Sequence, residues 1–154
     1  DRGIRLLDPD LNANHLLGLA RNLNGLAHVA LVDSASGLGD ESLAVLSAAN
    51  EIIAVTTPDM PSVIDTLKTI KAAKNRKIHV RGVIVNRARG DEHELQPTNV
   101  ATLLGVPLIA VVPEDDAVRE SLRMKHPVVY SHPDSKASAA LRACAESLVR
   151  YPRG

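Results

Sequence analysis

Asp33 and Gly37 are the residues best placed to do chemistry in this chain. They lie in the run His28-Val-Ala-Leu-Val-Asp33-Ser-Ala-Ser-Gly37-Leu-Gly39-Asp40-Glu41, where an unbroken apolar stretch delivers a carboxylate and then two glycines to a loop. Such a stretch reads as a strand buried on both faces, and open α/β sheets keep their ligands at the C-terminal ends of such strands. A carboxylate there can hold a metal-bound water, and glycine lets a backbone N–H approach an anion. The implied chemistry is that of a phosphate beside a divalent cation.

Three further loops end apolar runs in the same way: Thr57 to Pro61, Asn86 to Arg89, and Pro113 to Asp116. In a parallel sheet all of them converge on one rim with Asp33. Each alone has a plainer explanation. An Asp closing a strand serves as a turn or cap, Asn86 as the start of a turn, and Pro113-Glu114-Asp115-Asp116 as the acidic first turn of a helix.

Other chemistry scores poorly. The six His residues lack zinc-type spacing with cysteine, no G-x-S-x-G elbow occurs, and Gly37-Leu-Gly39 lacks the third glycine of a dinucleotide fingerprint. Lys68, Lys71, Lys74, Arg76 and Lys77 read as a solvated helix end favoured by the dipole. Cys144 falls in phase with Ala137, Leu141 and Leu148, so burial explains it better than reactivity. A lone cysteine forms no disulfide framework and suits a reducing cytoplasm.

The elements that must position these loops follow from hydrophobic period. His28 to Asp33, Glu51 to Thr57, Val80 to Asn86 and Pro107 to Val112 are expected strands, with a further short one near Val128 to Tyr130. Helical spacing covers Asp40 to Ala49, Ser62 to Lys74, Thr98 to Leu104, Asp115 to Met124 and Ser135 to Arg150. Ser62 followed by Asp65 suggests a capping box, and Gly105 with Pro107 should stop the helix before them. The polar run Arg87 to Glu94 is a surface loop. Strand and helix alternating in this way predicts an α/β fold, a mostly parallel sheet flanked by helices with right-handed crossovers.

Composition agrees. At 154 residues the chain is one domain's length, and with 45% hydrophobic but 1% aromatic residues its core must be Val, Ile, Leu and Ala, which suits parallel sheet. Lys plus Arg and Asp plus Glu balance at 18 each, so bulk charge gives no reason to expect nucleic acid or an anionic membrane as partner. No apolar run approaches the roughly 18 residues of a membrane span.

The four loops, taken in order, carry wording as well as chemistry. Asp33 to Gly37, then Val55-Thr-Thr-Pro-Asp59 with Ser62-Val63, then Val83-Ile-Val-Asn86-Arg87, then Val111-Val-Pro-Glu-Asp115 together resemble the C-terminal two-thirds of a MinD/ParA-type P-loop ATPase. Val118-Arg-Glu-Ser121, Pro127-Val-Val129 and Pro133-Asp-Ser-Lys-Ala137 extend the resemblance over about residues 28 to 150. It implies a P-loop NTPase-like, Rossmann-like three-layer fold that binds ATP or ADP with Mg²⁺. Asp33 would hold Mg²⁺ through water and Gly37 would offer its N–H to the γ-phosphate. Asn86, with Arg87, would meet the adenine edge, and Pro113, Glu114 and Asp115 would run along the base. Thr57 and Pro58 would pack beside the phosphates, and the helices over 40 to 49 and 115 to 124 would flank a dimer face. The implied partners are a second subunit on ATP binding and a protein of division, motility or cargo positioning. The implied location is cytoplasmic, and peripheral attachment to the inner membrane face would need a further helix after the last core helix.

Two departures bear on this. The family usually has Asp-x-Pro-Ala-Gly where this chain has Asp33-Ser-Ala35-Ser36-Gly37, which removes a residue that restricts the loop backbone. None of the nine glycines is followed by Lys, so the G-x-x-x-x-G-K-[ST] cradle for the α- and β-phosphates is absent. The chain also opens on Asp1 rather than Met. It is expected to be a single, N-terminally incomplete nucleotide-binding domain over 1 to 154, whose activity needs a P-loop from outside the sequence. The alternatives are a P-loop-less module of the same fold that binds proteins, and a dethiobiotin synthetase-like ligase, which fits Pro113 to Ser121 less well.

The resemblance puts the P-loop strand between the Asp33 strand and Glu51 to Thr57. Its absence should leave a vacancy of about two strand spacings, about 10 Å, lined by exposed apolar residues, or let the two flanking strands pair directly. Upstream, Gly3 to Leu7 reads as a short strand with Asp8 and Asp10 in the turn after it. In the alternative register, Leu6 to Gly18 matches the family's second strand and one of those aspartates becomes a switch residue.

Overall fold

A computed structural model describes residues 29–34, 37 and 39–150. In chain order its elements are α1 (Asp40–Ala48), β1 (Glu51–Thr56), α2 (Met60–Asn75), β2 (His79–Ala88), α3 (Pro97–Leu104), β3 (Leu108–Pro113), α4 (Asp116–Met124), α5 (Val128–Ser131) and α6 (Lys136–Arg150).

The sheet has the order β1-β2-β3 among the described residues, and both pairings are parallel. The strands form where β-branched residues cluster, as in Glu51-Ile-Ile-Ala-Val-Thr56 and Leu108-Ile-Ala-Val-Val-Pro113. Alternation then sorts the central strand. Val83 and Val85 are fully buried and point to one face, where they join Ala54 of β1 and Val63, Ile70, Val100 and Leu104 of α2 and α3 in a single cluster. Helix α6 packs against β3, with Ala137 and Cys144 buried outside that cluster.

Register slips by one residue on both sides of Gly82: between Ile52 and Ile53 on β1, and between Val83 and Ile84 against β3. Here the absence of a side chain matters. A Cβ at Gly82 would stand 2.5 Å from the Pro107 carbonyl oxygen and 2.8 Å from Ile109 Cγ1. Next to it, Arg81 ties the sheet to α6, donating to Glu51 Oε1 at 2.9 Å and to the Leu148 carbonyl at 2.6 Å.

Helix ends follow their local chemistry. Gly105 closes α3 in the left-handed conformation (φ 63°), as expected, and Lys74 Nζ donates to its carbonyl at 3.2 Å. The expected capping box at Ser62 and Asp65 does not form. Asp59 caps α2 instead, its Oδ1 accepting from Ser62 N at 2.9 Å, and Asp65 pairs with Lys68 on the surface. The reason is Pro61 in the first turn, which starts the helix earlier and makes the preceding Asp the N-cap.

Two expected strands are corrected. Val128 to Tyr130 is not a strand but part of the one-turn helix α5, in which Tyr130 N donates to the Pro127 carbonyl at 2.9 Å. Of His28 to Asp33, the described residues 29–34 join no strand, and Leu31 is 84% exposed. The direct pairing with β1 does not occur. Among the described residues β1 is an edge strand, and its Val55 is 58% exposed. An isolated extended run needs a neighbouring ladder to be a strand, and none of the described strands supplies one. The expectations for Gly3 to Leu7, Asp8 and Asp10 lie outside the described residues.

Candidate functional site

The C-terminal ends of β2 and β3 bring Asn86, Arg87, Pro113, Glu114 and Asp115 to one rim. Asn86 stands in register with Val112 and Ala88 with Pro113, and the ladder continues one step into the loops as Glu114 N donates to the Ala88 carbonyl at 3.0 Å. Asn86 Oδ1 accepts from Arg87 N at 3.0 Å, and Arg87 turns left-handed (φ 59°). A strand end that turns so abruptly exposes backbone and amide groups in a small space, which is what reading a flat polar ligand edge requires.

Glu114 is held by two cations. Arg89 Nε reaches its Oε2 at 2.6 Å and Arg87 reaches its Oε1 at 3.4 Å. The Arg89 hydrogen bond, followed by the one from Arg87, keeps the Glu114 carboxyl below the usual carboxylate range. Arg89 is in turn fixed at its own backbone, because Glu94 Oε2 accepts from Arg89 N at 2.8 Å and from Gly90 N at 2.9 Å.

Asp115 works through the backbone. Its Oδ1 accepts from Ala117 N at 2.9 Å and its Oδ2 from Ala137 N at 3.1 Å, so one carboxylate caps α4 and receives the start of α6. Those bonds, Ala137 first, hold its carboxyl below the usual range. Beside it, Glu114, Asp115, Asp116, Asp134, Ser135 and Lys136 line an open cavity of about 450 Å³.

The β1 loop is stitched to the same rim. Leu95 N donates to the Pro58 carbonyl at 2.9 Å, and Thr57 Oγ1 hydrogen-bonds both Asp59 and Ser62 Oγ. The hydrogen bond from Thr57, followed by the one from Ser62 N, holds the Asp59 carboxyl low.

Asp33 and Gly37 are described apart from this cluster. Both are exposed, Asp33 in the segment outside the sheet and Gly37 in a conformation (φ 96°) that favours glycine. The sequence reading placed Arg89 in a rim loop without giving it a role, and missed Glu94 and Ala137 as parts of the rim. Arg89 and Glu94 lay in a polar run without period, and Ala137 acts through its N–H, which no residue type announces.

The fit to a bound group is therefore uneven. Asn86 has its Oδ1 engaged internally and keeps amide hydrogens to donate, which suits a planar ligand edge that offers acceptors. A metal is a different matter, since no group of three His, Cys, Asp or Glu side chains that could hold one occurs among the described residues. Asp33 belongs to no such group.

The parallel sheet with its flanking helices matches the MinD/ParA P-loop NTPase fold. The family described as the CobQ/CobB/MinD/ParA nucleotide binding domain matches residues 5–128, and the chain belongs to that family. An uncharacterized ATP-binding protein of Methanocaldococcus jannaschii is 35% identical over 127 residues, covering 82% of this chain and 48% of the relative. The chloroplastic MinD homolog of Arabidopsis thaliana is 30% identical, covering 77% of this chain and 38% of the relative. Among solved structures, Pyrococcus horikoshii MinD complexed with Mg-ADP superposes with a TM-score of 0.84 at 29% identity, covering 90% of this chain and 57% of that one. The chain spans about half the length of the curated relatives it matches. No helix among the described residues is long and apolar enough to cross a membrane.

Proposed function

We propose that this chain supplies the base-binding rim of a MinD/ParA-type ATPase, in which Mg·ATP holds two subunits together and hydrolysis releases them to position division, motility or cargo machinery. Asn86 and Arg87 meet the adenine edge, and Pro113, Glu114 and Asp115 carry the loop along the base. With nucleotide and Mg²⁺ bound, Asp33 would offer its carboxylate to a water on the metal and Gly37 its N–H to the γ-phosphate, while none of these 154 residues supplies the G-x-x-x-x-G-K-[ST] cradle. A cytoplasmic protein, peripheral at the membrane face in the manner of MinD, fits this reading.

The observation that carries it is the tie between the two loops: Glu114 N on the Ala88 carbonyl, with Arg87 and Arg89 on the Glu114 carboxylate. That tie fixes the spacing between Asn86 and the Pro113 loop before any ligand arrives, which is preorganisation.

Titration of the ¹⁵N-labelled chain with adenosine and with MgATP tests it. Both should shift the amides of Asn86, Arg87, Glu114 and Asp115, and Asn86→Ala should abolish the response. Unchanged amides at this rim up to the solubility of adenosine would overturn the assignment. The rival reading, a protein-binding module of the same fold, rests on the missing phosphate cradle, and it predicts that silent outcome.

A further inference from the structure

Two neighbouring residues in the loop after β2 reach in opposite directions. Glu94 Oε2 turns back onto its own loop and accepts from Arg89 N and Gly90 N, while the next backbone group, Leu95 N, donates to the Pro58 carbonyl in the loop after β1. Both residues are half-buried. The Leu95 side chain packs against the core cluster that holds Val83 and Val85, so the point from which the two reaches start is fixed to the interior. Gly90 is left-handed (φ 74°), which lets two successive N–H groups converge on one carboxylate oxygen.

The two ends of this link lie at different parts of the rim. At one end Arg89, its backbone held by Glu94, gives its Nε to Glu114 Oε2, and Glu114 N is held in turn by the Ala88 carbonyl. At the other end Pro58 precedes Asp59, which caps α2 at Ser62 N and meets Thr57 Oγ1. Closing the loop does not by itself require Glu94. Asp91 already makes a turn, its side chain accepting from His93 N at 3.0 Å and its carbonyl from Glu94 N at 3.3 Å. What the Glu94 carboxylate adds is a fixed backbone under Arg89. The Arg89–Glu114 pair needs that support, because its arginine is exposed and an exposed ion pair alone is a weak restraint.

We infer that Glu94 is a positioning residue that couples the base rim to the loop that starts α2, so that a ligand edge seated against Asn86 and Glu114 is felt from Pro58 to Ser62. The path is contiguous: Glu114 to the Arg89 side chain, the Arg89 and Gly90 backbone to Glu94, and Leu95 to Pro58, each joint a hydrogen bond of 2.6 to 2.9 Å. The coupling is a property of the loops themselves, and its use by a nucleotide base rests on the function proposed above.

NMR of the ¹⁵N-labelled chain without ligand tests the coupling. Glu94→Ala should speed water exchange of the Arg89 Nε–H about fivefold, the effect of losing one net hydrogen bond of restraint, and should shift the amides of Leu95 and Ser62. Glu94→Gln keeps an acceptor oxygen and should restore most of both. Adenosine added to the parent chain should shift Leu95 and Ser62 together with the rim amides of Asn86 and Arg87, and in Glu94→Ala the two distant shifts should vanish while those at the rim persist. An Arg89 Nε–H and a Ser62 amide unmoved by Glu94→Ala, equal behaviour of the Ala and Gln variants, or a rim that answers adenosine while Leu95 and Ser62 stay silent would each overturn the coupling. A rim silent towards adenosine, with the ligand-free effects present, would overturn the base reading and uphold the coupling.

Discussion

Asp115 Oδ2 accepts the backbone N–H of Ala137 at 3.1 Å, across 22 residues of sequence, while its other oxygen caps α4. The loop proposed to carry the base is thus fastened to the start of the last helix by the side chain of one of its own residues.

Replacing Asp115 should therefore loosen two helices together. Asp115→Ala is expected to lower Tm by more than Asp116→Ala does, because Asp116 pairs only with exposed Arg119 on the same helix. Thermal unfolding followed by circular dichroism reads the difference, and equal losses would refute the double cap.

The same carboxylate sets a pH dependence. Its folded pKa lies below the ordinary value because backbone N–H groups favour the ionised form, and Asp59 is held low by Thr57 and Ser62. For a depressed carboxylate the stabilisation is fully present above the unfolded pKa and is lost as pH falls through the folded one. Stability to urea should thus be flat near neutrality and drop below about pH 4. Asp115→Asn combined with Asp59→Asn should make that acid limb shallower.

Gly82→Ala should be destabilising by about 1 to 3 kcal/mol, since the new Cβ meets the Pro107 carbonyl oxygen at 2.5 Å and one of the two must move. Urea titration at constant m-value measures it, and a neutral substitution would show that the β2–β3 register gives way easily.

Ile70→Ala, at a side chain 1% exposed between α2 and the sheet, should cost about 2 to 5 kcal/mol. Leu122→Ala, on the open side of α4, should stay within about 0.5 kcal/mol. The contrast separates the core from the open surface of α4.

Glu114→Gln should leave unfolding little changed, because its arginine partners are mostly exposed, yet it should weaken the adenosine response at Asn86 by releasing Arg87 and Arg89. A loss of stability without a change in that response would recast the cluster as purely structural.

The three parallel strands were legible because each is a β-branched run followed by a helix-period segment, and the observed strands lie within two residues of the expected bounds at either end. The same signal failed at Val29 to Asp33, since an apolar run states that a strand is wanted but not which neighbour pairs with it. Val128-Val-Tyr130 failed for a different reason: three residues cannot distinguish a period of 2 from one of 3.6, and Pro127 before them starts a helical turn. At the rim, Asn86, Glu114 and Asp115 stood out through strand-end position and residue type. The roles of Glu94 and Ala137 were invisible because they depend on backbone N–H groups brought together only by the fold.

Arg81 closes the picture at the far end of α6. Its guanidinium holds the Leu148 carbonyl while Asp115 holds the Ala137 amide, so the last described helix is bolted at both extremities. A beam fastened in this way resists tilting about either end, so a shift of the Asp115 loop would be felt along it first as the loss of a fastening.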